Sequence, residues 1–84
     1  MDTHKLKDLA VNESGLIFEP STGYIFTSNP TGIEIMNALK EGQEIHDIKR
    51  ILAENYDVDE DTAEKDVFDF LGQLITCGLV RESL

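Results

Sequence analysis

The spacing of apolar residues changes at Asn29, and that change constrains the fold of this 84-residue chain more than any other feature. Ahead of it, apolar residues come in short β-branched and aromatic runs, Leu16-Ile17-Phe18 and Tyr24-Ile25-Phe26-Thr27. Between them lies Pro20-Ser21-Thr22-Gly23, where Pro20 presets φ for a turn and Gly23 can take a left-handed position. Such a pair predicts a β-hairpin. Leu6, Leu9 and Val11 sit in a mixed segment that stops at the turn cluster Asn12-Glu13-Ser14-Gly15, which predicts three short antiparallel strands in all. Beyond Asn29 the spacing is helical. Ile33, Met36 and Leu39 share one face of a helix that Asn29 caps, Pro30 opens and Gly42 ends. A second helix carries Ile45, Ile48 and Leu52 on one stripe, with Ile51 beside it and Tyr56 beyond. A third begins near Asp59, where Asp59, Glu60 and Asp61 meet the positive end of the helix dipole, and runs to Gly78. The expected class is α+β, three strands followed by three helices, in one domain over residues 1–84.

The third helix carries more apolar surface than a core contact uses. On a wheel centred on Val67, the residues Ala63, Phe70, Leu71, Leu74 and Gly78 cluster with it. Phe68 and Ile75 extend this face on one side and Cys77 on the other, for an apolar arc of roughly 180°, against the ~100° of an ordinary surface helix. Lys65, Asp66, Asp69, Gln73 and Thr76 hold the polar side. The wheel does not distinguish which flank is the excess. The third strand shows the same surplus, because Tyr24-Ile25-Phe26 places apolar groups on both faces. An open three-stranded sheet also leaves a strand edge unpaired. Surplus apolar surface on a strand and a helix, with a free edge, is the layout that accepts an added peptide strand.

Charge and size exclude other functions. A chain this short builds one modest core with no room for a deep catalytic cleft. Its net charge is −10, and Asp57 to Asp69 holds seven acids against Lys65 alone. Such a surface repels nucleic-acid phosphates and anionic lipid and suits neutral or basic partners. Helices after a sheet suggest a winged helix-turn-helix, but a third helix bearing Glu60, Asp61, Glu64, Asp66 and Asp69 is wrong for DNA. Cys77 is the single cysteine, so no internal disulfide forms, and no apolar run reaches membrane-spanning length. The expected location is the cytoplasm.

Catalytic and metal motifs do not assemble either. Cys77 has only His4 and His46 as candidate bases and reads as a quiet, partly buried thiol. Asp57-Val58-Asp59-Glu60-Asp61 opens like a calcium loop, yet its sixth position is Thr62 and its twelfth Phe68, where Gly and Glu are needed. Two His and one Cys make no zinc site. The carrier-protein motif Asp-Ser-Leu has its nearest text in Glu82-Ser83-Leu84, at the wrong end of a chain with a strand-rich first third. No enzyme, cofactor or metal is expected.

The segment Asn12 to Val80 resembles the family of pyrroloquinoline-quinone biosynthesis protein D, also called the RiPP recognition element. The matching text is Ser28-Asn29-Pro30-Thr31-Gly32-Ile33-Glu34-Ile35, then Gly42, Ile45 and Ile48 to Leu52, then Asp66-Val67, Phe70-Leu71, Leu74 and Gly78-Leu79-Val80. The resemblance implies a winged helix-turn-helix-like domain that is not an enzyme. It implies a chaperone that holds the leader segment of a ribosomally made precursor peptide as an added strand and delivers it to a modifying enzyme, often of radical SAM type. Quinone-cofactor biosynthesis is one such setting. The protein is then expected as a monomer or weak dimer, with no nucleic acid or membrane partner. The alternative is a winged-helix regulatory or protein-interaction module. The peptide is expected to pair with Tyr24, Ile25, Phe26 and Thr27, its side chains entering pockets formed by Val67, Phe68, Leu71 and Ile75, with Glu64 meeting a basic group.

Overall fold

The computed structural model describes residues 4–80, so Glu82-Ser83-Leu84 lies outside the described residues. Three strands, β1 (Ala10–Val11), β2 (Leu16–Glu19) and β3 (Tyr24–Thr27), precede three helices, α1 (Pro30–Lys40), α2 (Ile45–Tyr56) and α3 (Glu60–Thr76). The sheet is antiparallel in the order β1-β2-β3, so β2 is central and β3 is an edge. Val11 pairs with Ile17 and Ile17 with Phe26; this row faces the helices and joins the core. Ala10, Phe18 and Ile25 form the next row and face away from it. The α+β class expected from the change in periodicity is the observed one.

The segment before β1 is not a strand. His4–Asp8 forms a 3-10 turn, and Leu9 N donates to Leu6 O at 3.2 Å. The reason lies in the sequence: Leu6 and Leu9 are three apart, the repeat of that helix, and both side chains are buried. Lys5 braces this turn against the rest of the molecule. Its Nζ lies 2.8 Å from Glu19 Oε2 and 3.5 Å from the carbonyl of Gly78. Glu19 is the one buried polar side chain among the described residues, and Lys5 holds its carboxyl below the usual carboxylate range.

Helix ends follow the expected chemistry. Asn29 Oδ1 accepts from Gly32 N at 2.8 Å and Asp59 Oδ1 accepts from Thr62 N at 2.7 Å, satisfying donors that the first turn leaves free. Gly78 has φ +76°, donates to Ile75 O, and lets Leu79 N reach Leu74 O at 2.9 Å. This paired closure requires a left-handed residue at the position of Gly78. It also turns the chain back, so that Leu79 and Val80 are buried in the core.

In α1, Ile33, Met36 and Leu39 are buried as their spacing predicts, and Ile35 is buried with them. The helix is covered on two sides, so its apolar sector is wider than one stripe. α2 and α3 form the most extensive helix pair, Ile48 and Leu52 meeting a core that includes Ala63, Val67 and Leu71. The sheet meets the helices through its Ile17 row, while the seam between the free edge of β3 and α3 stays open.

Candidate functional site

β3 bonds to β2 on one side and to no strand on the other among the described residues. Ser28 N donates to Gly15 O at 2.8 Å, which makes Gly15 and Ser28 a hydrogen-bonded pair. Such pairs alternate along an antiparallel ladder, so Ile17–Phe26 is the next. The N–H and C=O groups of Ile25 and Thr27 therefore point outward from the free edge. Proteins usually blunt an exposed edge with Lys, Pro or a bulge. This one has none of these, and presents Tyr24 and Ile25 at 64% and 63% exposure.

Facing that edge across the open seam is α3. The seam is a cleft of about 410 Å³ whose α3 wall is Asp66, Asp69, Phe70 and Gln73, with Thr27 and Ser28 opposite and Gly32 and Ile35 below. A smaller recess of about 120 Å³ adjoins it, between Phe26 and the side chains of Phe70, Leu74 and Cys77. The cleft is thus graded, polar toward Asp66 and Asp69 and apolar toward Phe26 and Leu74.

The four expected β3 residues all lie on the free edge strand. Phe26 and Thr27 line the cleft, and the Tyr24 ring stands edge-on to Phe26 with centroids 6.5 Å apart. Ile25 turns its side chain to the outer sheet face beside Leu16 and Phe18, where a shallow apolar depression forms.

The α3 residues expected there lie elsewhere. Val67 and Leu71 are core, 0% and 4% exposed, and Ile75 packs half-buried against them. Glu64 is bound by Lys49 of α2 at 3.1 Å. Phe68 shares that flank by helical spacing and is half exposed. Their placement has a simple cause. The wide face of α3 has two flanks: α2 takes the one with Glu64, Leu71 and Ile75, and β3 faces the one with Asp66, Phe70, Gln73 and Cys77. Cys77 was visible on the wheel as that second flank and Phe70 as part of the central cluster; Asp66, Asp69 and Gln73 read only as solvent-facing polar positions. Cys77 is exposed rather than partly buried.

Elsewhere, Asn55 Nδ2 donates to Glu34 Oε1, and the Glu34 carboxylate beside Tyr56 raises that phenol above its ordinary value. Among the described residues, no group of three or more His, Cys, Asp or Glu could hold a metal ion. No helix there is long and apolar enough to cross a membrane.

A small sheet with an unguarded edge facing a helix across an open cleft defines a strand-accepting class of binding domain. The chain belongs to the family of coenzyme PQQ synthesis protein D (PqqD), whose family model matches residues 14–80. No curated protein matches it. Two solved structures are similar to it. TbiB1 in complex with the TbiA(beta) leader peptide is 27% identical, with a TM-score of 0.77 over 90% of each chain. Lasso peptide synthetase B1 complexed with the leader peptide has a TM-score of 0.75 over 88% of each chain at 23% identity, a likeness of fold.

Proposed function

We propose that this chain is a non-catalytic peptide chaperone. It takes the leader segment of a ribosomally made precursor peptide as a fourth strand on β3 and presents it to a modifying enzyme. The observation that carries this reading is the unguarded edge of β3, with the outward backbone groups of Ile25 and Thr27 beside a cleft that can receive alternate side chains. The likeness to TbiB1, which is complexed with a leader peptide, supports it. In this reading the partner is of radical SAM type, and the chaperone works in the cytoplasm as a monomer or weak dimer; the single cysteine is compatible with a reducing compartment.

The test uses a fluorescein-labelled leader segment from a precursor encoded beside this gene, with the variant Ile25→Pro. Proline removes the outward N–H and fills the edge, while the β2–β3 hydrogen bonds are left in place. Polarisation should show binding to the parent chain and a loss of more than about tenfold in the variant, whose far-UV spectrum stays the same. Equal binding by both would contradict the reading.

A second reading, a protein-interaction module with no peptide role, is favoured by a different observation. Leu16, Phe18 and Ile25 leave an exposed apolar patch on the outer sheet face. Tight binding of a protein partner, abolished by Phe18→Asp and untouched by Phe26→Ala on the opposite sheet face, would support it.

A further inference from the structure

We infer that the cleft selects peptides in which a basic side chain stands two residues from an apolar one, with Asp66 and Asp69 recognising the charge; this rests on the strand-addition reading and narrows it. Both carboxylates stand exposed on the α3 rim of the cleft. The other acids near them are accounted for. Asp59 caps the helix, Glu60 and Asp61 occupy its first turn, and Glu64 is held by Lys49. Asp66 and Asp69 lie beyond the reach of the helix N-terminus. Neither has an ion-pair or hydrogen-bond partner among the described residues, Lys65 included, and no Lys or Arg lines either part of the cleft. Two like charges three residues apart on one helix face repel each other, and a cation placed between them relieves the repulsion.

The ladder supplies the spacing. By strand alternation the side chains of Phe26 and Ser28 share the sheet face toward the cleft, while Thr27 between them lines it from the free edge of the strand. In an added strand, the residues opposite Phe26 and Ser28 turn inward as well, roughly 7 Å apart. The one opposite Phe26 enters the recess beside Leu74 and Cys77. The one opposite Ser28 arrives at the polar end, between the two carboxylates. In a strand antiparallel to β3 the basic residue comes first.

The experiment is a selection of random dodecapeptides displayed on phage against the full chain, against Asp66→Asn/Asp69→Asn and against Asp66→Lys/Asp69→Lys. Both positions are exposed, and thermal melts check that the variants fold. The parent chain should enrich Lys or Arg two residues from an aliphatic or aromatic residue. The Asn variant should keep the apolar preference, lose the basic one, and bind the parent's selected peptides about three- to fivefold more weakly at low salt. The Lys variant should enrich Asp or Glu instead. Bulk acidity also attracts basic peptides, but that attraction would persist in the Asn variant. Selected peptides without a basic preference, or a basic preference unchanged in both variants, overturn this inference while leaving strand addition intact, provided that Ile25→Pro still abolishes binding. If no peptide is enriched, both fall.

Discussion

Lys49 Nζ lies 3.1 Å from Glu64 Oε2, marking the flank of α3 that α2 covers and so the flank left to face the sheet. The Lys49 side chain is 26% exposed and that of Glu64 44%, so solvent screens the pair. Its net contribution to stability is under about 1 kcal/mol. Glu64→Gln should lower stability by no more than that in urea titration and leave peptide affinity within about twofold.

Phe68 and Phe26 separate the two flanks. Phe68 is half exposed on the α2 flank, so Phe68→Asp should leave the fold intact and change affinity by less than about 0.5 kcal/mol. Phe26 lines the recess beside the free edge, so Phe26→Ala should weaken binding of the same peptide by about 1–3 kcal/mol. Calorimetric titration of the two variants checks this; a loss from Phe68→Asp alone would return the groove to the other flank.

Gly32 holds α1 against α3 beneath the cleft. A Cβ there would stand 2.8 Å from Cε1 of Phe70 and would also meet the Ser28 hydroxyl. Gly32→Ala therefore has to displace a core ring and turn the Ser28 hydroxyl aside. We expect it to cost about 1–3 kcal/mol in urea unfolding despite the better helix propensity of alanine.

The parts of this fold written in local spacing were legible in the sequence. The change of period at Asn29, the caps at Asn29 and Asp59, and the stops at Gly42 and Gly78 all depend on neighbours a few residues away. The 3-10 turn at Leu6 and Leu9 was missed because two apolar residues three apart fit either reading until burial selects one. The β3 half of the cleft was legible for the same local reason, since Tyr24-Ile25-Phe26 carries apolar groups on both faces. The α3 half was not. Which flank meets β3 is decided by where α2 docks, a long-range choice expressed only in contacts such as Lys49 with Glu64. Asp66 and Gln73 look like ordinary solvent-facing residues until a strand stands opposite them.

Acid should lower stability in part through two carboxyls. Lys5 chiefly lowers that of Glu19, and the backbone N–H of Thr62 that of Asp59. A lowered carboxyl stabilises the fold above its ordinary unfolded value, and the contribution is lost as pH falls through the lowered folded value. Stability should therefore hold through neutral pH and fall below the ordinary carboxylate range, and Glu19→Gln should make that acid limb shallower. Tyr56 has the opposite sign: its contribution is present below its ordinary value and lost as pH rises through the raised one. Urea midpoints measured from acid to strongly alkaline pH check both limbs.

The most direct test of strand addition reads the two outward amides. In the free protein, Ile25 and Thr27 N–H point to an empty edge, while the N–H of Phe26 bonds to β2. Adding a saturating leader segment to ¹⁵N-labelled protein and following amide exchange by NMR should protect Ile25 and Thr27 strongly. Phe26 should change little, and the amides of Asp66, Phe70, Gln73 and Cys77 should shift with them. If Ile25 and Thr27 still exchange as freely in the bound state as in the free one, the peptide does not add to β3 and the account is wrong.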